Sequence, residues 1–307
     1  MKQDFFYPSA DGETRIHALE WLPEGRPAAT LQLCHGMAEY IGRYDEFASF
    51  LAENGFYVTG NDHLGHGQSV TSPDRLGYFN DPRGNECVIA DIHTLRQRTF
   101  TGYPDVPHFM LGHSMGSFLL RQYIELYGEG LSGAVIMGTG SQPPAVLSAG
   151  KAICRTAARF HGWAYRSGLM NSMAFGSYNK KFEPARTPSD WLSRNTASVD
   201  AYEADPLCGF VFTVNGYYHM FRGIEFAQKA ENIAKIPRTL PLLVVSGAED
   251  PVGGFGAGVK PVYEAYKAAG IADVQLKLYP SDRHEILNEL DRDKVFADLL
   301  DWMRGRM

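Results

Sequence analysis

The chain has 307 residues, with 29 Lys and Arg against 35 Asp and Glu, giving a formal charge of −6 with neutral histidines. At 44% apolar, 12% aromatic and 21% charged it is neither disordered, collagen-like nor coiled coil, and its acidic balance offers no basic face for nucleic acid. This length suffices for a buried core without metal or disulfides, and no stretch approaches the roughly 18 apolar residues of a membrane span. Cys34, Cys87, Cys154 and Cys208 form no C-x-x-C pair and read as reduced packing residues. The N-terminus lacks the apolar run and cleavage site of a signal peptide, so a soluble, cytoplasmic protein is expected.

The segment Phe5 to Leu22 alternates loosely around Asp11-Gly12 and predicts a β-hairpin. Short apolar runs then alternate with amphipathic stretches. Ala29–Cys34 predicts a strand, Arg43–Glu53 a helix stopped by Gly55, and Phe56–Thr59 a strand. Cys87–Phe100 predicts a helix, His108–Leu111 a strand, Ser117–Tyr127 a helix closed by Gly128, and Ala134–Met137 a strand. After residue 224 the rhythm returns with Leu242–Val245, a glycine-rich loop, a helix over Val259–Ala268, a strand over Val274–Leu278 and a last helix over Asp293–Met303. This alternation predicts an α/β protein whose mostly parallel sheet carries helices on both faces.

Residues 141–224 break the pattern. They open on Pro143-Pro144 and hold nine Lys and Arg against five Asp and Glu, with 13 of the 38 aromatic residues. We read 1–140 and 225–307 as two parts of one core and 141–224 as a cap or lid inserted into it. Its aromatics suit packing on the core, with the cations solvated outside. They also suit an apolar funnel with a basic rim, favouring acyl chains with anionic heads or transient contact with a phospholipid surface.

Chemistry concentrates at Gly112-His113-Ser114-Met115-Gly116, between a predicted strand and a predicted helix. G-x-S-x-G in that context is a nucleophile elbow. The glycines clear space on both sides of a tight turn, the serine hydroxyl is pushed out at the carboxyl end of the sheet, and the Met115 amide is left at a helix N-terminus. A serine needs a base to take its proton and an acid to orient that base. His284 and Asp250 each follow a late strand; Glu249 and Asp282 are the alternative acids, and Asp282 lies too near His284 in sequence. A second oxyanion donor is expected from His35-Gly36-Met37-Ala38, where Gly36 permits close approach and the Met37 amide donates. Gly36 and His113 are expected to touch the bound substrate.

The segments His35–Tyr40 with Arg43-Tyr44, Asn61-Asp62-His63-Leu64-Gly65-His66-Gly67-Gln68-Ser69, and Gly112–Gly116, with Asp250 and His284, together resemble the monoacylglycerol lipase and lysophospholipase branch of the α/β-hydrolases, also labelled serine aminopeptidase-like. The resemblance runs from about residue 25 to the end, excepting the insertion. It implies an α/β-hydrolase fold with a helical cap, and an esterase of single acyl chains that needs no cofactor. Met37 stands where animal monoacylglycerol lipases have a small residue, which would reshape the acyl pocket.

Other features read less sharply. His63 and His66 beside Asp62 have near-helical ligand spacing, but Gly65 and Gly67 argue for a tight loop of locally hydrogen-bonded imidazoles, and no metal is expected. Gly253–Gly258 does not fall as G-x-G-x-x-G. Cys208 is placed near the cap mouth. An amidase or aminopeptidase on this fold would need an amine anchor, for which Glu183, Asp190, Asp200, Glu203 and Asp205 are available; a non-catalytic binding protein is the other alternative.

Overall fold

Eight strands form one sheet in the order β1-β2-β4-β3-β5-β6-β7-β8 in a computed structural model that describes residues 1–307. They are β1 Lys2–Pro8, β2 Arg15–Trp21, β3 Ala29–Cys34, β4 Phe56–Asn61, β5 His108–His113, β6 Gly133–Met137, β7 Leu242–Gly247 and β8 Val274–Tyr279. The β1–β2 hairpin pairs antiparallel and β2 meets β4 antiparallel; every later pairing is parallel. This is the α/β-hydrolase fold.

The central strands are nearly all apolar because both faces are covered. In β7, Leu243 and Val245 join a core with helices α1 (Asp45–Glu53) and α10 (Arg292–Arg304), where the Phe47 and Phe296 rings lie 5.0 Å apart. Leu242 and Val244 face the other way, into a core with α2 (Gly84–Gly102), α3 (Met115–Tyr127) and α9 (Lys260–Ala268). The predicted elements are all present, with shifted ends. The helix predicted from Arg43 begins as a 3₁₀ turn, Ile41–Tyr44, and turns α-helical at Asp45, whose carboxylate accepts from Trp21 Nε1 at 2.8 Å. Helix α3 starts at Met115 rather than Ser117, because the turn at Ser114 feeds straight into it.

Between β6 and β7 run α4 (Pro144–His161), α5 (Gly168–Phe175), α6 (Thr196–Ala204), α7 (Val214–Ala227) and the short α8 (Ala230–Ile233). Thr213 starts α7 by accepting from Gly216 N at 3.1 Å. Helix α7 runs past position 224 to Ala227 because its inner face packs on α2 and α3. Ile224 joins Phe118 and Leu147, and a Cβ on Gly223 would lie 2.7 Å from Asn85 Nδ2.

The hairpin is pinned to α2 through Asp91, whose carboxylate accepts from Ser9 Oγ and Ala10 N, both at 2.7 Å. Burial pushes this carboxyl up to about 7 despite those donors. A carboxyl whose folded pKa is raised holds its proton more tightly in the folded state. Its stabilising effect is therefore complete below the unfolded value near ~4 and declines as pH rises towards 7. In denaturant melts between pH 5 and 7, Asp91→Asn should flatten the fall in stability by up to about 1.4 kcal/mol per pH unit. An unchanged slope would show that Asp91 is already ionised at pH 5.

Candidate active site

Ser114 lies at the carboxyl end of β5 with φ +54° and ψ −119°, outside the conformations that L-residues normally adopt. Its neighbours enforce this. A Cβ on Gly112 would strike the Gly116 carbonyl, and one on Gly116 would strike the carbonyls of Cys34 and His35. The turn is closed by Ser114 N donating to Met137 O at 3.0 Å and by Ser117 Oγ donating to Ser114 O at 2.6 Å. The hydroxyl thus stands at the strand end, beside the loop that follows β3.

Asp250 and His284, on the loops after β7 and β8, meet in the fold: His284 Nδ1 and Asp250 Oδ1 are 3.0 Å apart, both side chains buried. Asp250 also accepts from Ser246 Oγ at 2.9 Å and Val252 N at 2.8 Å. Burial alone would raise its pKa; the charge and hydrogen bond of His284, with these two donors, hold it below the usual carboxylate range. The His284 ring is packed between Trp191, at 5.1 Å, and His113, at 4.7 Å. Gly138 permits this, since a Cβ there would lie 3.1 Å from both imidazoles. His284 Nε2 has no protein partner, and Ser114 Oγ makes no hydrogen bond to it, although both residues line one cavity. Such contacts commonly tighten once substrate is bound.

Of the alternative acids, Asp282 is engaged elsewhere, meeting Arg194 Nη2 at 2.6 Å, and it is Asp250 rather than Glu249 that meets His284 Nδ1. Arg194 also binds Glu289 at 3.1 Å and Asp291 at 2.6 Å, so a guanidinium occupies this three-carboxylate cluster. Further bonds tie the same stretch of the insertion to the loop carrying His284: Glu285 N donates to Leu192 O at 2.7 Å, and Ser193 Oγ to Asn288 O at 3.2 Å.

The amides of Met37 and Met115 have no acceptor in the protein, and both residues flank Ser114 in one cavity. Gly36 sits against Ser114, where a Cβ would lie 3.2 Å from Ser114 Cβ and 2.6 Å from Glu39 Oε1. His113 is not free to bind substrate through hydrogen bonds. Its Nδ1 faces Tyr44 Oη at 3.1 Å and Glu39 at 3.4 Å, and its Nε2 faces His284 O at 3.2 Å.

Behind these groups lies a charged cluster not assigned from the sequence. Glu39 accepts from Gly36 N at 2.5 Å, Tyr44 Oη at 2.8 Å and Arg43 at 2.6 Å; Arg43 also grips both oxygens of Glu285, at 2.6 and 2.8 Å. The available signals were the four-residue spacing of Glu39 and Arg43 and the position of Glu285 beside His284.

Two cavities meet at Ser114, sharing Met37, Phe175 and Trp191. One, of about 180 Å³, is lined almost wholly by apolar side chains such as Leu147, Met170, Met220 and Ile224. The other, of about 170 Å³, is walled by Glu39, Asn171, Ser189, Tyr202 and Glu285. The expected basic rim does not extend into the cavities, for none of the insertion's nine Lys and Arg lines either one. Lys151 pairs with Glu225 and Arg222 with Glu86, Arg166 donates to backbone carbonyls, and Arg194 binds the cluster described above.

The Asp62 loop is a brace. Asp62 accepts from Ile41 N, Gln68 N and His17 Nδ1, at 2.9, 2.8 and 2.8 Å. His66 shows the expected local hydrogen bonding, its Nδ1 lying 3.3 Å from Leu64 O, whereas neither ring nitrogen of His63 has a partner. The His63 ring instead packs at a 34° tilt against His35, with centroids 4.1 Å apart, and burial drives the neighbouring His66 down to about 3. Cys208 does adjoin the polar cavity through Gly209, but it is buried and burial pushes its thiol far up.

Residues 25–291 match the serine aminopeptidase S33 family model. The chain belongs to this family. It is 28% identical to mouse monoglyceride lipase, over 97% of this chain and 89% of that protein, and 28% identical to the monoacylglycerol lipase of Mycolicibacterium smegmatis, over 95% and 94%. A thermostable carboxyl esterase from Bacillus coagulans superimposes with a TM-score of 0.92 at 30% identity, covering 99% of this chain and 98% of that one. The protein is an enzyme of the α/β-hydrolase class. Within this family frame, Asp250→Asn should leave the packing of His284 in place while favouring the wrong tautomer. Steady-state kinetics should show kcat lower by about 10⁴ with KM changed by less than about threefold; a loss confined to KM would remove Asp250 from the acid role.

Proposed function

We propose that the protein hydrolyses monoacylglycerol-type esters through an acyl-enzyme. Ser114 Oγ attacks the ester carbonyl while His284 Nε2 takes its proton, steadied by Asp250. The amides of Met37 and Met115 hold the tetrahedral oxyanion, each such donor being worth on the order of 3 kcal/mol in the barrier. His284 then gives its proton to the departing alcohol and draws one from the water that releases the acid.

The observation that carries this reading is the pair of unlike cavities meeting at Ser114. The apolar one suits a single acyl chain, and Met37, projecting into both, shapes its entrance. The polar one suits the alcohol. Its carboxylates, Glu39 and Glu285, are both paired with Arg43, and no Lys or Arg faces the space. A phosphate would be desolvated there beside carboxylates without a partner, whereas an uncharged polyol finds hydroxyl, amide and carboxylate groups. The Bacillus coagulans esterase was solved in complex with glycerol, an alcohol of this kind.

Aminopeptidase activity is disfavoured because the acids available as amine anchors are occupied or remote. Asp190 and Asp200 pair with Arg186, Asp205 accepts from Tyr40 Oη at 2.9 Å, and none of the five lines a cavity.

The insertion serves as the cap. Val146 and Met173, exposed on α4 and α5, also line the apolar cavity, and Leu169 is exposed nearby; together they suit transient contact with a lipid surface. No helix is long and apolar enough to cross a membrane.

The test is kcat/KM for monoacylglycerols, lysophosphatidylcholine, lysophosphatidylglycerol and an aminoacyl amide. The lipids should carry one and the same acyl chain. The monoacylglycerol is expected to exceed either lysophospholipid by at least about tenfold, with negligible amide cleavage. Equal or reversed preference would overturn the neutral-head reading.

A further inference from the structure

We propose that Glu39 is a positioning residue for the oxyanion loop, an inference that rests on the reading of Ser114 as nucleophile and of the Met37 amide as an oxyanion donor. Glu39 is 3% exposed and lies beneath that loop. Its Oε1 takes the Gly36 N–H at 2.5 Å, so the peptide group preceding the donor is tied down while the Met37 N–H stays without an acceptor. The next residue, Ala38, is held at φ +53°, a left-handed conformation that an L-residue keeps only when its surroundings impose it. The space that Gly36 leaves empty is filled by the Glu39 carboxylate on one side and by Ser114 on the other.

The same carboxylate reaches the other two parts of the proposed machinery. Through His113 it connects to the residue preceding the nucleophile and, by His113 Nε2, to the backbone carbonyl of His284 at 3.2 Å. Through Arg43 it connects to Glu285, the residue after His284. Oxyanion loop, nucleophile turn and base loop thus share one buried acid.

Hydrogen counting indicates how this cluster is charged. Tyr44 gives its only hydrogen to Glu39 Oε1, so the hydrogen bond between His113 Nδ1 and Tyr44 Oη needs His113 as the donor. His113 Nε2 faces a carbonyl and must donate too. With both nitrogens protonated, His113 is an imidazolium, and with Arg43 it balances Glu39 and Glu285. The groups facing it are Glu39, Tyr44, Arg43, His35, His284 and Glu285. The acidic partner outweighs the burial that would discharge His113, and its pKa is raised.

The experiment compares wild type with Glu39→Gln on an ester and on the thionoester of the same acyl chain. Sulfur accepts hydrogen bonds poorly, so the thionoester draws little help from the oxyanion donors and is turned over far more slowly by the wild type. Glu39→Gln keeps the shape but puts an amide against Arg43. It is expected to lower kcat on the ester by about 30-fold with KM changed by less than about threefold, and to lower thionoester turnover much less, so that the ester to thionoester ratio narrows. Equal losses on both substrates would overturn the inference, because a general disturbance of the fold does not distinguish oxygen from sulfur. If Glu39→Gln does not fold, Glu39→Asp, which keeps the charge and withdraws its reach to Gly36, is held to the same ratio. Ser114→Ala run alongside separates the two levels: activity surviving in it defeats the nucleophile reading, whereas an unchanged ratio at position 39 with Ser114→Ala inactive defeats only the role of Glu39.

Discussion

The architecture of the site depends on the close approach of the ends of β3 and β5, which two missing side chains allow. Gly112 and Gly116 bracket Ser114, and Gly116 lies so near the Cys34 and His35 carbonyls that any Cβ would separate the Ser114 turn from the loop after β3. That contact puts the free Met37 amide on the same cavity as Ser114. It also starts α3 at Met115, leaving a second free amide beside the hydroxyl. The strain at Ser114 is held by the bonds to Met137 and Ser117 rather than relieved.

Around Ser114 the acids are paired with arginines that stay out of both cavities. Arg43 answers Glu39 and Glu285, and Arg194 answers Asp282, Glu289 and Asp291. Burying such groups costs desolvation energy, which makes them poor candidates for stability alone and good ones for geometry. The Arg194 cluster has a mechanical consequence. It fastens the insertion near residues 190–195 to the loop carrying His284, with Trp191 laid on the imidazole. Val146, Leu169 and Met173, exposed apolar residues of the insertion, lie on α4 and α5.

The sequence was most informative where local patterns have local causes. Alternating apolar runs and amphipathic stretches give the strands and helices of the core, because each buries its apolar groups against the next. The elbow, too, is a local pattern: glycines at 112 and 116 are a steric requirement of one turn. The order of Ser114, Asp250 and His284 could be read because each follows a strand, and the structure brings Asp250 to His284 and sets Ser114 on the same cavity. What escaped were interactions between distant segments. The cations of the insertion looked like a basic rim, yet Arg194, Arg222 and Arg166 find partners far away along the chain. The Glu39–Arg43–Glu285 cluster spans residues 39 to 285, and His113 is consumed by it; the step from Glu39 to Arg43 is local, but no spacing rule connects it to Glu285 or His113. The imidazoles of His63 and His35 pack against each other with both His63 nitrogens buried and unpartnered, which no local pattern reports.

The central claim is that Ser114 is the group that becomes covalently acylated. It is tested most directly by treating the folded enzyme with a fluorophosphonate ester and locating the adduct by peptide mass spectrometry. A single phosphonyl group on the peptide containing Ser114, appearing in step with loss of ester hydrolysis, is the expected result. Hydrolysis that persists with no adduct there, or an adduct on another residue that tracks inactivation, would contradict it.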